Sequence, residues 1–232
     1  IKKKEIISRD NFNPEDESAI ADDTSYQKKI TKSLKELAKM EKGGSSKYLS
    51  KDSLQMLSPK LLSLLENLQH PDNIGLHLIY SQFRTMEGVG VLKLILDANG
   101  FAEFKIKKSA NGDWSIVQKI GDEDKPKYVL YTGTETAEEK ELIRNIYNSD
   151  WDVVPPSLVA QLEKRQKNNQ YGELIRVLMI TASGAEGISL KNTRFVHIME
   201  PYWNMVRPKQ VIGRARRICS HDGLKEELRN IS

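Results

Sequence analysis

The chain has 232 residues, 29% of them charged and 38% from the hydrophobic set, with a net charge of +4. That length holds one sizeable domain with extensions, or two small ones, and the composition is that of a globular chain with generous polar surface. No apolar run approaches the roughly 20 residues that span a bilayer, the basic start IKKKEIISRD has no apolar stretch behind it, and the single cysteine, Cys219, excludes an internal disulfide. A lone cysteine fits a reducing, intracellular compartment. The four histidines have no ligand spacing and argue against zinc. With no initiator Met, the chain is expected to be a fragment of a longer polypeptide.

Residues 1–50 are polar and read as an extension or linker rather than a core. The stretch NPEDESAIADD is acidic and turn-like; SYQKKITKSLKELAKMEK has helical spacing at Ile30, Leu34 and Leu37 and stops at Gly43-Gly44. In SPKLLSLLENLQ, Ser58 can cap, Pro59 suits the first helical position, and Leu61, Leu62, Leu65 and Leu68 make a buried face. The period then changes. LHLIYS (76–81) is a short apolar strand, RTMEGVGVLKLILDANG (84–100) a helix ended by Gly100, and FAEFKIKK (101–108) a strand. SANGDWSIVQKIGDEDKP is an inserted turn or hairpin, so one insertion covers about 108–126, and its acidic IGDEDK is assigned to solvent. KYVLYTG (127–133) is a strand, and Thr136 with Glu139 forms a capping box that opens the helix AEEKELIRNIYNS. Residues 150–172 are a second insertion, with a helix from Pro156. LIRVLMIT (174–181) and RFVHIME (194–200) are strands, and the last element is a helix from about Arg207 to Ile218.

Alternating strands and helices, with runs rich in Val, Ile and Leu, indicate an α/β fold: a mostly parallel central sheet covered by helices on both faces. Ligands bind such sheets at loops leaving the carboxyl ends of strands. That nominates 81–85, 132–136 and 181–190.

Charge is concentrated near the end. From Lys191 to Arg217 there are seven Lys or Arg and one acid, Glu200, a stripe suited to a polyanion. On the expected helix, Gln210, Arg214 and Arg217 fall within about 60° of one another, while Val211, Ala215 and Ile218 form a separate apolar stripe. Two neighbouring guanidiniums suit phosphate oxygens; structural salt bridges are the alternative. Arg216 points elsewhere, to solvent or nucleic acid. In TASGAEGISL (181–190), Gly184 and Gly187 let backbone N–H groups approach a ligand and Glu186 can orient one; an ordinary glycine turn is the alternative. No G-x-x-x-x-G-K-[ST] loop is present, so the chain offers arginines for a phosphoryl-transfer transition state without a phosphate cradle or a magnesium carboxylate.

QVIGRARR resembles the Q-x-x-G-R-x-x-R motif of superfamily 2 helicases at Gln210, Gly213, Arg214 and Arg217. VLMITASGAEGISL resembles the preceding motif, LIYSQFRTMEGVGVLKLILDANGF the first motif of the second RecA-like lobe in Swi/Snf-type ATPases, and YVLYTGTETAEEKELIRNIYNSD the next block. Four motifs in order cover about residues 58–221. The variant PYWNMVRPKQVIGRARRICSH is most similar to helicases and transcription ATPases of large DNA viruses, including the poxvirus nucleoside triphosphatase group; Arg217-Ile218-Cys219-Ser220-His221 replaces the R-I-G-Q of Swi/Snf proteins.

The resemblance implies a RecA-like three-layer lobe over 51–232, behind a polar helical extension at 1–50. It implies an ATP-dependent helicase or translocase that is inactive as an isolated fragment. ATP and Mg would be held by a missing N-terminal RecA-like lobe of the same polypeptide, with the Mg ligands on that lobe. Arg214 and Arg217 would be arginine fingers positioned by Gln210; Glu186, Gly187, Ser189 and Gly213 lie where the family meets nucleotide. Ser81, Gln82, Arg84, Gly133, Thr134 and Thr181 lie where it touches a DNA or RNA backbone. Phe83 is expected in the core. Tyr202 and Trp203 are expected to be buried, with stacking on a base or adenine as the alternative, and His221 is expected to be a helix-end charge. A viral protein of this kind would work in the host cytoplasm or virion beside the transcription machinery, with no membrane partner. The alternatives are a non-unwinding tracking or transcription-termination ATPase and a non-catalytic binding scaffold.

Overall fold

The computed structural model of the chain describes residues 24–43, 47–84, 88–133, 135–182, 187–200 and 203–226. Strands β1 (Leu76–Tyr80), β2 (Ala102–Glu103), β5 (Lys127–Tyr131), β6 (Val177–Ile180) and β7 (Thr193–Ile198) form one sheet in the order β2-β5-β6-β1-β7. Every neighbouring pair in it is parallel. A parallel sheet must be covered on both faces, and the strands alternate accordingly. Val177 and Met179 point into a core with Leu65, Leu68, Leu92, Ile95 and Leu96. Leu178 and Ile180 point into the opposite core with Leu142, Ile146, Leu158, Leu162, Val211 and Ala215.

The first face is covered by α1 (Thr24–Gly43), α2 (Lys51–Leu57), α3 (Pro59–Gln69) and α4 (Val89–Ala98). Leu65 and Leu68 of α3 are fully buried, each contributing roughly 1.5–3 kcal/mol. Helix α1 does not stand clear of this core: Ile30 is buried, Leu37 packs on the cluster, and Glu41 accepts the Leu49 N–H at 3.2 Å. The second face is covered by α5 (Ala137–Asn148), α6 (Pro156–Glu163) and α7 (Val206–Ala215). The capping box is present, with the Thr136 side chain accepting the Glu139 N–H at 3.2 Å.

Two strands differ from the sequence expectation. Residues 101–108 divide: β2 pairs with β5, and β3 (Lys105–Lys108) leaves the sheet to pair antiparallel with β4 (Trp114–Val117). Buried Ile106 and Trp114 anchor this hairpin, and Gln161 of α6 accepts the Ile116 N–H at its edge. The strand expected from Leu174 starts at Val177, because the buried Asn169 side chain takes the N–H groups of Leu174 and Ile175, each at 2.8 Å.

One polar cluster is buried near the amino end of the sheet. His77 of β1 has no exposure, stacks on Phe195 with ring centroids 4.5 Å apart, and places Nδ1 3.0 Å from His197 Nε2.

Candidate functional site

The predicted site residues fall into two groups at opposite ends of helices α5 and α7. Both helices start just after a strand's carboxyl end, beside the first group. Both finish beside the second: Asn148, the last residue of α5, donates to Ser189 O and accepts from Lys191 N–H, and Arg214 O, in the last turn of α7, accepts the Leu190 N–H at 3.1 Å. The segment expected to be one ligand loop, 181–190, runs between the groups.

In the first group, Ser81 extends the ladder of β1, its N–H donating to Ile180 O at 3.1 Å. Its side chain is fully buried, where the resemblance placed it against a strand of nucleic acid. The hydroxyl lies 2.9 Å from Glu200 Oε1 and 3.0 Å from Phe83 O, and accepts the Phe83 N–H at 3.1 Å. Gln82 N–H donates to Glu200 Oε2 at 2.8 Å. Gln82 is half-buried and Arg84 exposed. Phe83 is 42% exposed, not in the core, because this tight loop turns it outward. Gly88 closes the loop: a Cβ there would meet Phe83 O at 2.0 Å and Ser81 Oγ at 2.4 Å. At the end of β5, Thr132 is buried and its N–H donates to Glu135 at 2.8 Å, while Gly133 is exposed. Thr181 is buried in the same row, so its side chain too is withheld from a surface ligand. Thr134, Gly184, Glu186 and Tyr202 lie outside the described residues. Trp203 is 90% exposed, against the expectation of burial, and Met205 and Val206 beside it are exposed as well.

In the second group the arginine helix is shorter than the sequence suggested. It ends at Ala215. The carbonyls of Arg214 and Ala215 are taken by Leu190 N–H and by the Ser220 hydroxyl at 3.0 Å, and Cys219 adopts φ 61°, so the ladder cannot continue. Val211 and Ala215 are buried as expected, but Ile218 is 97% exposed because it lies past the helix end. Arg217 is therefore not on the helical face with Gln210 and Arg214. It is brought back by another route, its Nη2 donating to Ile188 O at 3.1 Å. The Arg217 side chain thus meets the Gly187–Ser189 loop, while Arg214 is tied to the next residue, Leu190, through its backbone carbonyl. Arg214 is half-buried and Arg217 exposed, and among the described residues neither has an ion pair. Arg216 is exposed.

Gly187 adopts φ 70° and is exposed, and Ser189 is half-buried. Gly213 is exposed within α7, and a Cβ built on it would have no described heavy atom within 4 Å. Glycine inside a helix costs about 0.5–1 kcal/mol relative to alanine, and no packing inside the chain requires it here. Gln210 is exposed one turn before Arg214. His221 is more than a helix-end charge: its ring nitrogens lie 2.8 Å from Ser220 Oγ and 2.7 Å from Thr193 O. The basic stripe also divides, since Lys191 pairs with Asp150 and Arg194 donates to Ile74 O near the amino end of the sheet. Sequence reasoning passed over Asn148 and Ser220 and used Glu200 only as a charge count. The first two are short polar residues whose roles depend on partners 41 and 5 positions away.

Residues 114–219 match the model of the helicase conserved C-terminal domain. The chain carries a helicase C-terminal domain. It is 34% identical over 167 residues to a putative ATP-dependent RNA helicase of Acanthamoeba polyphaga mimivirus, covering 72% of this chain and 16% of that protein. It is 31% identical over 195 residues to a termination factor NPH-I homolog of African swine fever virus, covering 75% of this chain and 25% of that protein. The chain therefore spans a quarter or less of these relatives. Among solved structures it is similar to the C-terminal part of the Fun30 ATPase domain, with 17% identity and a TM-score of 0.45, covering 88% of this chain and 56% of that one. The α/β character of the chain rests on its own sheet: five parallel strands with helices on both faces.

Proposed function

We propose that this helicase C-terminal domain is the second lobe of an ATP-driven helicase or translocase, completing a nucleotide site held by an N-terminal RecA-like lobe of the same polypeptide. The observation that carries the reading is that neither Arg214 nor Arg217 has an ion pair among the described residues, with Arg217 donating to Ile188 O beside Gly187 and the Arg214 carbonyl tied to Leu190 N–H. Such a pair fits the phosphates of ATP, because guanidiniums are permanently charged, planar donors that bind phosphate oxygens in pairs. Mg would be held by the first lobe. Bound ATP supplies the phosphoryl group transferred to water. This chain contributes two cations for the developing charge, with Gln210 beside them and Gly213 allowing close approach of the opposing surface. The first group grips the backbone of DNA or RNA through Gln82, Arg84, Gly133 and Thr134.

The test is turnover. The chain alone should hydrolyse ATP negligibly. Joined to its first lobe, Arg214→Ala should lower turnover by roughly 10³-fold or more, with a smaller effect on ATP binding. Full turnover by the Arg214→Ala protein refutes the arginine-finger role. A non-unwinding tracking ATPase acting with viral transcription machinery is the second reading, favoured by the name of the African swine fever virus relative. Strand displacement by the two-lobe protein separates the two: a motor that translocates without displacing a strand supports the second.

A further inference from the structure

Glu200 is the one acid among the seven cations of residues 191–217, yet among the described residues it pairs with none of them. Both carboxylate oxygens face the loop after β1. One lies 2.9 Å from the Ser81 hydroxyl and the other accepts the Gln82 N–H at 2.8 Å. The neighbouring strand end is held alongside, Met199 N–H donating to Tyr80 O at 2.9 Å. The loop is packed tightly enough to have one shape: Ser81 has no exposure, Val89 N–H bonds Phe83 O at 3.0 Å, and Gly88 leaves no room for a Cβ. Glu200 lies two residues past the end of β7, on the segment leading into α7.

The geometry points to Glu200 as a positioning residue that sets the 81–84 loop in its backbone-gripping shape and ties that loop to the segment carrying the arginine helix. This rests on the nucleic-acid reading above. The ligand chemistry is the phosphodiester backbone common to DNA and RNA. Charge alone argues against an acid here, since a carboxylate near a polyanion weakens binding and its removal should strengthen it. Positioning predicts the opposite sign. One charge-assisted hydrogen bond fixes the backbone at Gln82 and a second holds the Ser81 side chain beside it, and without them Gln82 and Arg84 lose their presentation.

The experiment measures binding of the chain to a labelled oligothymidine, an oligouridine and a DNA duplex by fluorescence anisotropy; comparison among the three arms identifies the backbone preferred. Glu200→Ala should weaken binding about tenfold despite the more positive net charge, and Ser81→Ala should weaken it in the same direction. Glu200→Gln, which keeps one acceptor and removes the charge, should fall between. Adding Ser81→Ala to Glu200→Ala should cost little more, because both changes break one contact. Binding by Glu200→Ala or Glu200→Gln as tight as, or tighter than, that of the unaltered chain overturns the inference. If Glu200→Ala does not fold, as read by circular dichroism, Glu200→Gln and Ser81→Ala carry the comparison. An unaltered chain that binds none of the three probes removes the nucleic-acid reading itself. The loop-setting role is then decided by hydrogen exchange at the Gln82 amide, which Glu200→Gln should accelerate and which, if unchanged, overturns it.

Discussion

Lowering the pH should destabilise this chain through one pair of residues. His77 and His197 sit side by side in β1 and β7, their rings 5.3 Å apart and within 9° of parallel. Burial, then the neighbouring His197, then Arg176 push the His77 pKa down to about 3, with Arg194 adding to the effect and the Asn73 carbonyl opposing it; burial pushes His197 down to about 4. In the unfolded chain both titrate near 6.5. Both folded values lie below the unfolded one, so the stability held by the neutral pair is complete above about pH 6.5 and is lost as pH falls toward the folded values. Between pH 7 and pH 5 the unfolded chain gains about one and a half protons on this pair that the folded chain refuses. The linkage cost is about 2 kcal/mol for each histidine and about 4 kcal/mol for the pair.

Urea unfolding followed by circular dichroism at pH 7, 6 and 5 reads this directly, as a midpoint that falls by about 1–2 M. The double variant His77→Leu/His197→Leu should lose most of that slope, because it removes the protons and keeps an apolar fill. Two carboxylates also have lowered pKa values: Asp122 through its bond from Lys125, and Glu138 through its bonds from Lys108 and Trp114. They act below the ordinary carboxylate range and leave the window from pH 7 to 5 to the histidines. Equal loss of stability by the double variant and the unaltered chain over that window refutes the reasoning.

Gly213→Ala should raise the unfolding free energy of the chain by about 0.5–1 kcal/mol, since the added methyl meets nothing described within 4 Å. The same change should lower ATP turnover when the first lobe is present, and a two-lobe protein with full activity refutes the close-approach role. Gly88→Ala should cost more than about 2 kcal/mol, because the methyl is driven into the backbone oxygen of Phe83 and into the fully buried Ser81 Oγ. An unchanged melting temperature removes that steric claim.

The sheet was legible because its strands are short apolar runs between turn residues, and a parallel sheet needs just that pattern. The division of 101–108 was not. Phe104 reads as one more apolar position, and only the Trp114 and Ile106 anchor on the other side of the turn shows why the chain leaves the sheet. The arginine motif identified the residues but misplaced one of them. A helix drawn through Ile218 assumes that the carbonyls of Arg214 and Ala215 are free to receive the next turn, and Leu190 and Ser220 take them first. That competition comes from positions 24 residues before and 5 after, beyond the reach of local periodicity. The burial of Ser81 was not legible for a related reason. The sequence shows a serine after a strand, whereas its burial depends on Gly88 and Glu200 closing over it.

The shortened helix gives the arginine pair a property that the longer one would have lacked. Two guanidiniums on one helical face repel, and a chain that holds them with carboxylates neutralises the charge an incoming phosphate needs. Here a backbone carbonyl holds Arg217, and neither arginine has an ion pair among the described residues. Arg214 lies in the last turn of α7, where the helix dipole favours a cation by about 0.3–1 kcal/mol. Arg217 donates to the carbonyl of Ile188. A neutral acceptor orients a guanidinium without cancelling its charge, and it is weaker than a carboxylate by roughly a factor of two. An anion arriving from outside therefore meets two cations with no ion pair to displace among the described residues. Replacing Ser189 by Asp would put one there. That change should leave the fold intact by circular dichroism and weaken ATP binding by the two-lobe protein at low salt, and tighter or equal binding would show that the two guanidiniums do not face the nucleotide.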